Sequence, residues 1–176
     1  VESSLQSKKI IQMARFDSLT KIYNRQYFDV KFNEIIEYHR KKTANFGILK
    51  LDLNKFKSIN DIYGHLIGDK VLALFSERMV NHLKKEDIIA RMSGDEFIVI
   101  LHDIQDIKYL TRVSKCLCKA AEKAYQIQDK LISCDITVGI VSYPAAGKTA
   151  KTLLKHLDFA LYDAKKNQKK CCVYYK

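Results

Sequence analysis

One proline in 176 residues, no apolar stretch approaching the ~20 residues that cross a bilayer, and a shortage of acid bound what this chain can be. With 47% hydrophobic residues and a single proline, the chain has the material for one substantial core, which excludes a disordered polypeptide. The opening Val1-Glu2-Ser3-Ser4-Leu5-Gln6-Ser7-Lys8-Lys9 is too polar for a secretory signal, and the lack of an initiator Met predicts that a longer protein continues upstream. Five cysteines are an odd number, and neither Cys116-x-Cys118 nor Cys171-Cys172 has a histidine at metal-ligand spacing. With Cys134 they read as buried or idle thiols of a reducing cytosol, so a cytoplasmic location is expected of this segment, with membrane anchoring of the full protein through other regions left open.

The acid shortage leaves a net charge of +11, concentrated in Lys41-Lys42, Lys84-Lys85, Lys165-Lys166 and Lys169-Lys170. Such a balance suits phosphate-bearing partners. The chain carries no RNP-type aromatic motif, zinc-finger spacing or recognition-helix signature. Most of these lysines therefore read as solvated helix faces, and no nucleic acid or membrane contact is expected of this segment. Binding of polynucleotide through the basic surface stays as a third functional reading, recognisable by salt-sensitive affinity.

The acids that are present are placed informatively. Ser93-Gly94-Asp95-Glu96-Phe97 sets two adjacent carboxylates in a turn between the apolar runs Ile88-Ile89-Ala90-Arg91-Met92 and Phe97-Ile98-Val99-Ile100-Leu101, a β-hairpin with acid at its tip. Upstream, Asp52 closes another apolar strand, Phe46-Gly47-Ile48-Leu49-Lys50-Leu51-Asp52-Leu53. Mg²⁺ takes one or two carboxylates together with water and substrate phosphates, so Asp52 and Asp95 suffice as a cradle if their strands are neighbours. On spacing alone, ordinary strand-end acids explain them equally well.

Along the chain, residues 1–15 read as a helical lead-in, followed by capping residues Asp17-Ser18-Leu19-Thr20 and a helix from Lys21 to about Lys42. A strand to Asp52 precedes a short helix over residues 54–65, and Gly68-Asp69 opens a helix whose Val71, Leu72, Leu74, Phe75, Met79, Val80 and Leu83 form a core face. After the hairpin come a helix from Ile104 to Tyr125, a strand from Ser133 to Tyr143, a helix from Thr149 to Asn167 and a last strand from Cys171 to Tyr175. This order predicts an α/β sandwich of the α+β kind: a mainly antiparallel central sheet with helices on both faces, related to the βαββαβ layout.

Taken together, these motifs resemble the GGDEF domain of diguanylate cyclases, whose signature turn stands here as Ser-Gly-Asp-Glu-Phe. The resemblance also covers Asp17-x-Leu19-Thr20, Asn24-Arg25, Phe56-Lys57-x-x-Asn60-Asp61, Gly64-His65-x-x-Gly68-Asp69, Arg91, and Asp158-x-Ala160-Leu161-Tyr162-x-Ala164-Lys165. It implies a helical lead-in over residues 1–16 and a GGDEF domain over 17–176, with the palm-like fold of polymerases and nucleotidyl cyclases. It also implies condensation of two GTP into cyclic di-GMP with release of two pyrophosphates, at the interface of two domains that form a transient homodimer. An upstream sensory or regulatory domain is expected in the full protein.

By the resemblance, Asp52, Asp95 and the Leu53 carbonyl are ligands of Mg²⁺ or Mn²⁺, and Asp95 is also the acceptor for the 3′-hydroxyl proton. Glu96 is the neighbouring acid, able to hold a second metal, and Lys57 steadies charge on the transferring phosphate. Asn60 and Asp69 read guanine, His65 and Leu72 line the nucleotide pocket, Gly94 lets backbone approach the α-phosphate, and Lys165 and Lys169 bind the β- and γ-phosphates. Residue by residue the plainer readings stay open: Asn60 as a helix cap, Asp69 as a favourable charge in a first helical turn, His65 as a turn histidine, the two lysines as solvated.

The chain departs from the family pattern at four places. Ser93 stands for a glycine, Asn54 for an acid, and Gln168-Lys169-Lys170 for a glycine-containing triplet. Lys84-Lys85-Glu86-Asp87 occupies the place of an Arg-x-x-Asp site where product binds and inhibits, and lysine lacks the planar fork that grips a guanine edge. Weak or absent product inhibition is expected. The alternative to a working cyclase is a degenerate GGDEF module that binds GTP and regulates an attached domain without turnover.

Overall fold

The computed structural model describes residues 14–173, with side chains to residue 170. The lead-in expected over residues 1–16 lies almost wholly outside the described residues, as do the last residues of the expected final strand. Among the described residues the named elements follow in order: β1 (Tyr23–Asn24), α1 (Arg25–Lys42), β2 (Phe46–Leu53), α2 (Phe56–Tyr63), α3 (His65–His82), β3 (Ile88–Ser93), β4 (Glu96–Leu101), α4 (Ile107–Glu122), β5 (Tyr125–Ile127), β6 (Lys130–Ile132), β7 (Ile136–Tyr143), α5 (Ala150–Lys166) and β8 (Cys171–Val173).

Six strands form one sheet in the order β1-β3-β4-β2-β7-β8, and β5 pairs only with β6. The four central strands are antiparallel, while β1 and β8 join the edges in parallel. β2 therefore lies at the centre, flanked by β4 of the acidic hairpin and by β7. The α/β sandwich and its mainly antiparallel sheet are as the sequence predicts.

Alternation along the strands sends apolar side chains to both faces. On one face Leu49, Leu51, Leu53, Phe97, Val99 and Val138 pack with Val71, Leu72, Phe75 and Met79 of α3 and Leu110 and Leu117 of α4. On the other, Phe46, Ile48, Ile98, Ile100 and Val141 meet Phe28, Phe32, Ile35 and Ile36 of α1 and Leu153 and Leu157 of α5. At Gly139 of β7 a side chain is sterically impossible, since a Cβ there would lie 2.6 Å from the Leu161 backbone nitrogen. Glycine thus lets α5 rest directly on the sheet, and its next turn carries Lys165 toward the end of β2.

Several boundaries differ from the expected ones for identifiable reasons. The first helix begins at Arg25 with Asn24 as its cap, because Tyr23 and Asn24 pair with β3 and Lys21 adopts a positive φ of 61°. Asp17 instead closes a turn, accepting hydrogen bonds from the Thr20 backbone nitrogen and hydroxyl at 2.8 and 2.7 Å. The helix expected to open at Gly68-Asp69 starts at His65, since Gly64 with φ 86° is the only break between α2 and α3. Asp106 caps α4, so Ile104 stays outside it, and Tyr125 belongs to a short hairpin, β5–β6, that periodicity did not reveal.

Candidate active site

The site is built where β2 ends. Asp52 sits between Glu96 on β4 and Thr137 on β7, on the face covered by α5. The Leu53 backbone nitrogen donates to the Asp95 carbonyl at 3.2 Å, so the hairpin tip is stitched to the strand end and the two acidic residues are brought together. Burial, and then the negative charge of Asp52, push the Asp95 carboxyl above its ordinary range, with the Lys165 charge pulling the other way. Lys165 Nζ lies 2.7 Å from Asp52 Oδ1.

Glu96 is held differently from Asp95. Its carboxylate accepts a hydrogen bond from Ser93 Oγ at 3.0 Å and faces Lys50 Nζ at 3.4 Å. Lys50 also donates to Asp158 Oδ1 of α5 at 2.7 Å. Burial opposes the Lys50 charge, yet Asp158 and then Glu96 hold the ammonium above its usual range. In the sequence the only signal of Lys50 is that it is a lone lysine inside an apolar strand. Arg91 was quoted only as part of a motif; it braces the turn by donating through Nε to the Gly94 carbonyl at 2.9 Å and through Nη1 to Asp17 Oδ1 at 3.1 Å.

The expected guanine readers lie on the helical pair α2–α3. Asn60 lies within α2, three residues before its end, with its Oδ1 buried and without a hydrogen-bond partner, wedged against Gly68. A buried acceptor in this state costs about 1–3 kcal/mol, which a donor brought by a bound ligand would recover. Asp69, one residue on, is exposed and lines a cleft of about 350 Å³ with Leu19, Leu66, Ile67 and Lys70. His65 is exposed at the first position of α3, whereas Leu72 is 1% exposed within the core beneath it.

Lys57 is exposed on α2, one residue after Phe56, and Lys169 is exposed in the turn after α5. Gly94, at the tip with φ 32°, has open space around it. Asn54 turns to β7, where its Oδ1 accepts from Thr137 Oγ1 at 2.9 Å, so the residue in place of an acid ties two strand ends together. Cys134 nearby is buried, its thiol pushed up to about 12 chiefly by burial.

Among the described residues no three His, Cys, Asp or Glu side chains converge as a ready metal cluster. The Asp52 and Asp95 carboxylates, near enough to repel one another, nevertheless supply hard oxygens of the kind Mg²⁺ takes together with water and substrate phosphates. The lysine ammonium on Asp52 is a stand-in that shows a cation is accommodated there.

Residues 14–171 match the family described as "Diguanylate cyclase, GGDEF domain". The chain belongs to the GGDEF family. It is 34% identical over 159 residues to the bifunctional diguanylate cyclase/cyclic di-GMP phosphodiesterase MucR of Pseudomonas aeruginosa, covering 90% of this chain and 23% of MucR. It is 30% identical over 162 residues to the diguanylate cyclase TpbB of the same species, covering 92% of this chain and 37% of TpbB. The solved GGDEF domain of TpbB superposes with a TM-score of 0.86 at 29% identity, over 90% of this chain and 93% of that one. This GGDEF domain thus spans well under half the length of these curated relatives, and its homologues include enzymes that make cyclic di-GMP. Among the described residues no helix is long and apolar enough to cross a membrane.

Proposed function

We propose that this domain is a diguanylate cyclase that condenses two GTP into cyclic di-GMP and two pyrophosphates. The observation that carries the reading is the meeting of Asp52 and Asp95 at one strand end, with Lys165 bridging from α5. Asp52, Asp95 and the Leu53 carbonyl would hold Mg²⁺ or Mn²⁺, which when bound polarises the phosphate oxygens and lowers the pKa of a coordinated hydroxyl.

The chain's own residues do the rest. Asn60 and Asp69 orient guanine, the Asp69 carboxylate accepting the N1 and N2 protons that adenine does not present as a pair. Lys57, Lys165 and Lys169 neutralise the triphosphate, and Gly94 leaves room for backbone beside the α-phosphate. Asp95, whose carboxyl is biased toward accepting a proton, takes the one leaving the 3′-hydroxyl as that oxygen attacks the α-phosphorus of the facing nucleotide. Because each domain presents one nucleotide, a transient homodimer completes the site, and an upstream regulatory domain in the full protein governs that encounter.

Incubation of concentrated domain with Mg²⁺ and GTP tests the proposal: cyclic di-GMP forms, and Asp95→Ala abolishes it. A second reading is favoured by Ser93, whose side chain fills a place at the turn and draws Glu96 to itself. In that reading the domain binds GTP and regulates an attached domain, and the same assay gives binding without product.

A further inference from the structure

Lys165 is the residue whose position the phosphate-binding role leaves unexplained. Its Nζ makes a 2.7 Å ion pair with Asp52, whose side chain is 13% exposed against 43% for the lysine. Two acids close enough to repel share the strand end, and a compact cation between α5 and β2 is the arrangement that lowers their mutual energy. We infer that Lys165 is the resident counter-ion of the Asp52–Asp95 pair, a cation that a divalent metal displaces from Asp52 and so releases toward the triphosphate.

The inference rests on the diguanylate cyclase reading and goes beyond it, because it gives one lysine two successive partners. The base of the side chain is fixed: Gly139 seats α5 against β7, and Asp158, two turns earlier on the same helix, is tied to Lys50 of β2. The four-carbon stem is free to carry the ammonium from a carboxylate to a phosphate without moving the helix. The attraction of Lys165 also opposes the Asp52 repulsion felt at Asp95, so its charge reaches both acids. A metal binding without nucleotide must therefore compete with an ammonium already in place. Affinity for metal alone is held down, and metal and nucleotide favour one another.

The test is a titration of the nucleotide-free domain with Mn²⁺, following the electron paramagnetic resonance signal of the free ion. Lys165→Met, and Lys165→Gln as a second variant in case the first does not fold, should bind Mn²⁺ about tenfold more tightly than the unaltered domain, as expected when one competing charge is removed. Lys165→Arg, which keeps the cation, should stay near the starting affinity. Asp52→Asn should weaken binding, and Lys165→Met on that background should gain clearly less than it does alone, because only the Asp95 part of its influence remains. If both neutral variants bind Mn²⁺ no more tightly while Asp52→Asn still weakens it, the counter-ion role is wrong and the metal site stands. If Asp52→Asn makes no difference either, the metal reading falls with it.

Discussion

The carboxamide of Asn60 and the backbone of Gly68 are in direct contact across α2 and α3: a methyl carbon added at position 68 would lie 1.8 Å from Asn60 Oδ1 and 3.2 Å from Phe56 Cζ. Gly68→Ala must therefore push the Asn60 amide, the movable partner, out of its place. The helix interior itself prefers alanine to glycine by roughly 0.5–1 kcal/mol, which offsets part of the cost of the clash. Stability should change by no more than about 1 kcal/mol, while GTP affinity falls about tenfold as one guanine contact is misdirected. Isothermal titration with GTP beside a urea unfolding curve separates the two effects. An unaltered GTP affinity would detach Asn60 from the nucleotide site.

Asp95 trades stability for chemistry. Its carboxyl is pushed above the ordinary range first by burial and then by Asp52, so between the ordinary and the raised pKa the folded domain holds more protons than the unfolded chain. Stability contributed by this group is then full at low pH and is lost as pH rises through that window. Asp95→Asn removes the penalty. In metal-free buffer at neutral pH the variant should unfold at higher temperature than the parent, and the gain should vanish once pH falls below the ordinary carboxylate range. Turnover should drop at least about a hundredfold in the same variant. Thermal unfolding scanned against pH in EDTA gives the first result, and cyclic di-GMP formation gives the second.

The four central strands and both acidic ligand candidates are legible because apolar runs of strand length are bounded by carboxylates and turns, as at Leu51-Asp52 and Gly94-Asp95, whereas the edge strand β1 is not. Nor is the β5–β6 hairpin, because Tyr125-Gln126-Ile127 and Lys130-Leu131-Ile132 are three-residue strands too short to establish a period of two. Likewise, Asp17 carries the residue type and spacing of a helix cap but serves a turn and the Arg91 guanidinium. Only the pairing of Tyr23 and Asn24 with β3, a contact distant in sequence, decides between those uses. Lys50 escaped notice for the same reason: its partners Glu96 and Asp158 are 46 and 108 positions away.

Product inhibition should be weak, and the structure says why. Asp87 spends its carboxylate on the Lys84 backbone nitrogen at 2.9 Å, and burial raises its pKa, so it is an element of the turn before β3. The adjoining cleft of about 400 Å³ is floored by Phe16, Ile22, Val80, Leu83 and Ile89 and rimmed by Lys21, Lys84 and Lys85. Lysines there attract phosphate as point charges but give no bidentate contact to a guanine edge. Cyclic di-GMP should bind poorly to the parent domain. Lys84→Arg should tighten it by about tenfold, the rough worth of one good two-pronged contact. Calorimetry with cyclic di-GMP decides this. Tight binding by the parent that Asp87→Ala abolishes would show that lysine serves after all.

Arg78 holds the back of the domain together through three backbone carbonyls and one aromatic ring. Its guanidinium donates to Ala120 and Lys123 through Nη1 and to Ala124 through Nη2, and its Cζ stands 3.8 Å from the centroid of the Tyr125 ring. The last carbonyls of α4 have no partners within the helix, so this arginine of α3 caps a neighbouring helix end and favours its negative dipole. Truncation to alanine leaves those acceptors to water and uncovers the fully buried Tyr125 ring. The loss should be about 2–3 kcal/mol, or roughly 4–10 °C in Tm for a domain of this size. Arg78→Lys keeps the charge but cannot reach three carbonyls from a planar fork, so it should recover less than half of the loss. Since α4 and Arg78 stand apart from Asp52 and Asp95, GTP affinity below the melting range should be unchanged in both variants, which calorimetry on the folded proteins would verify.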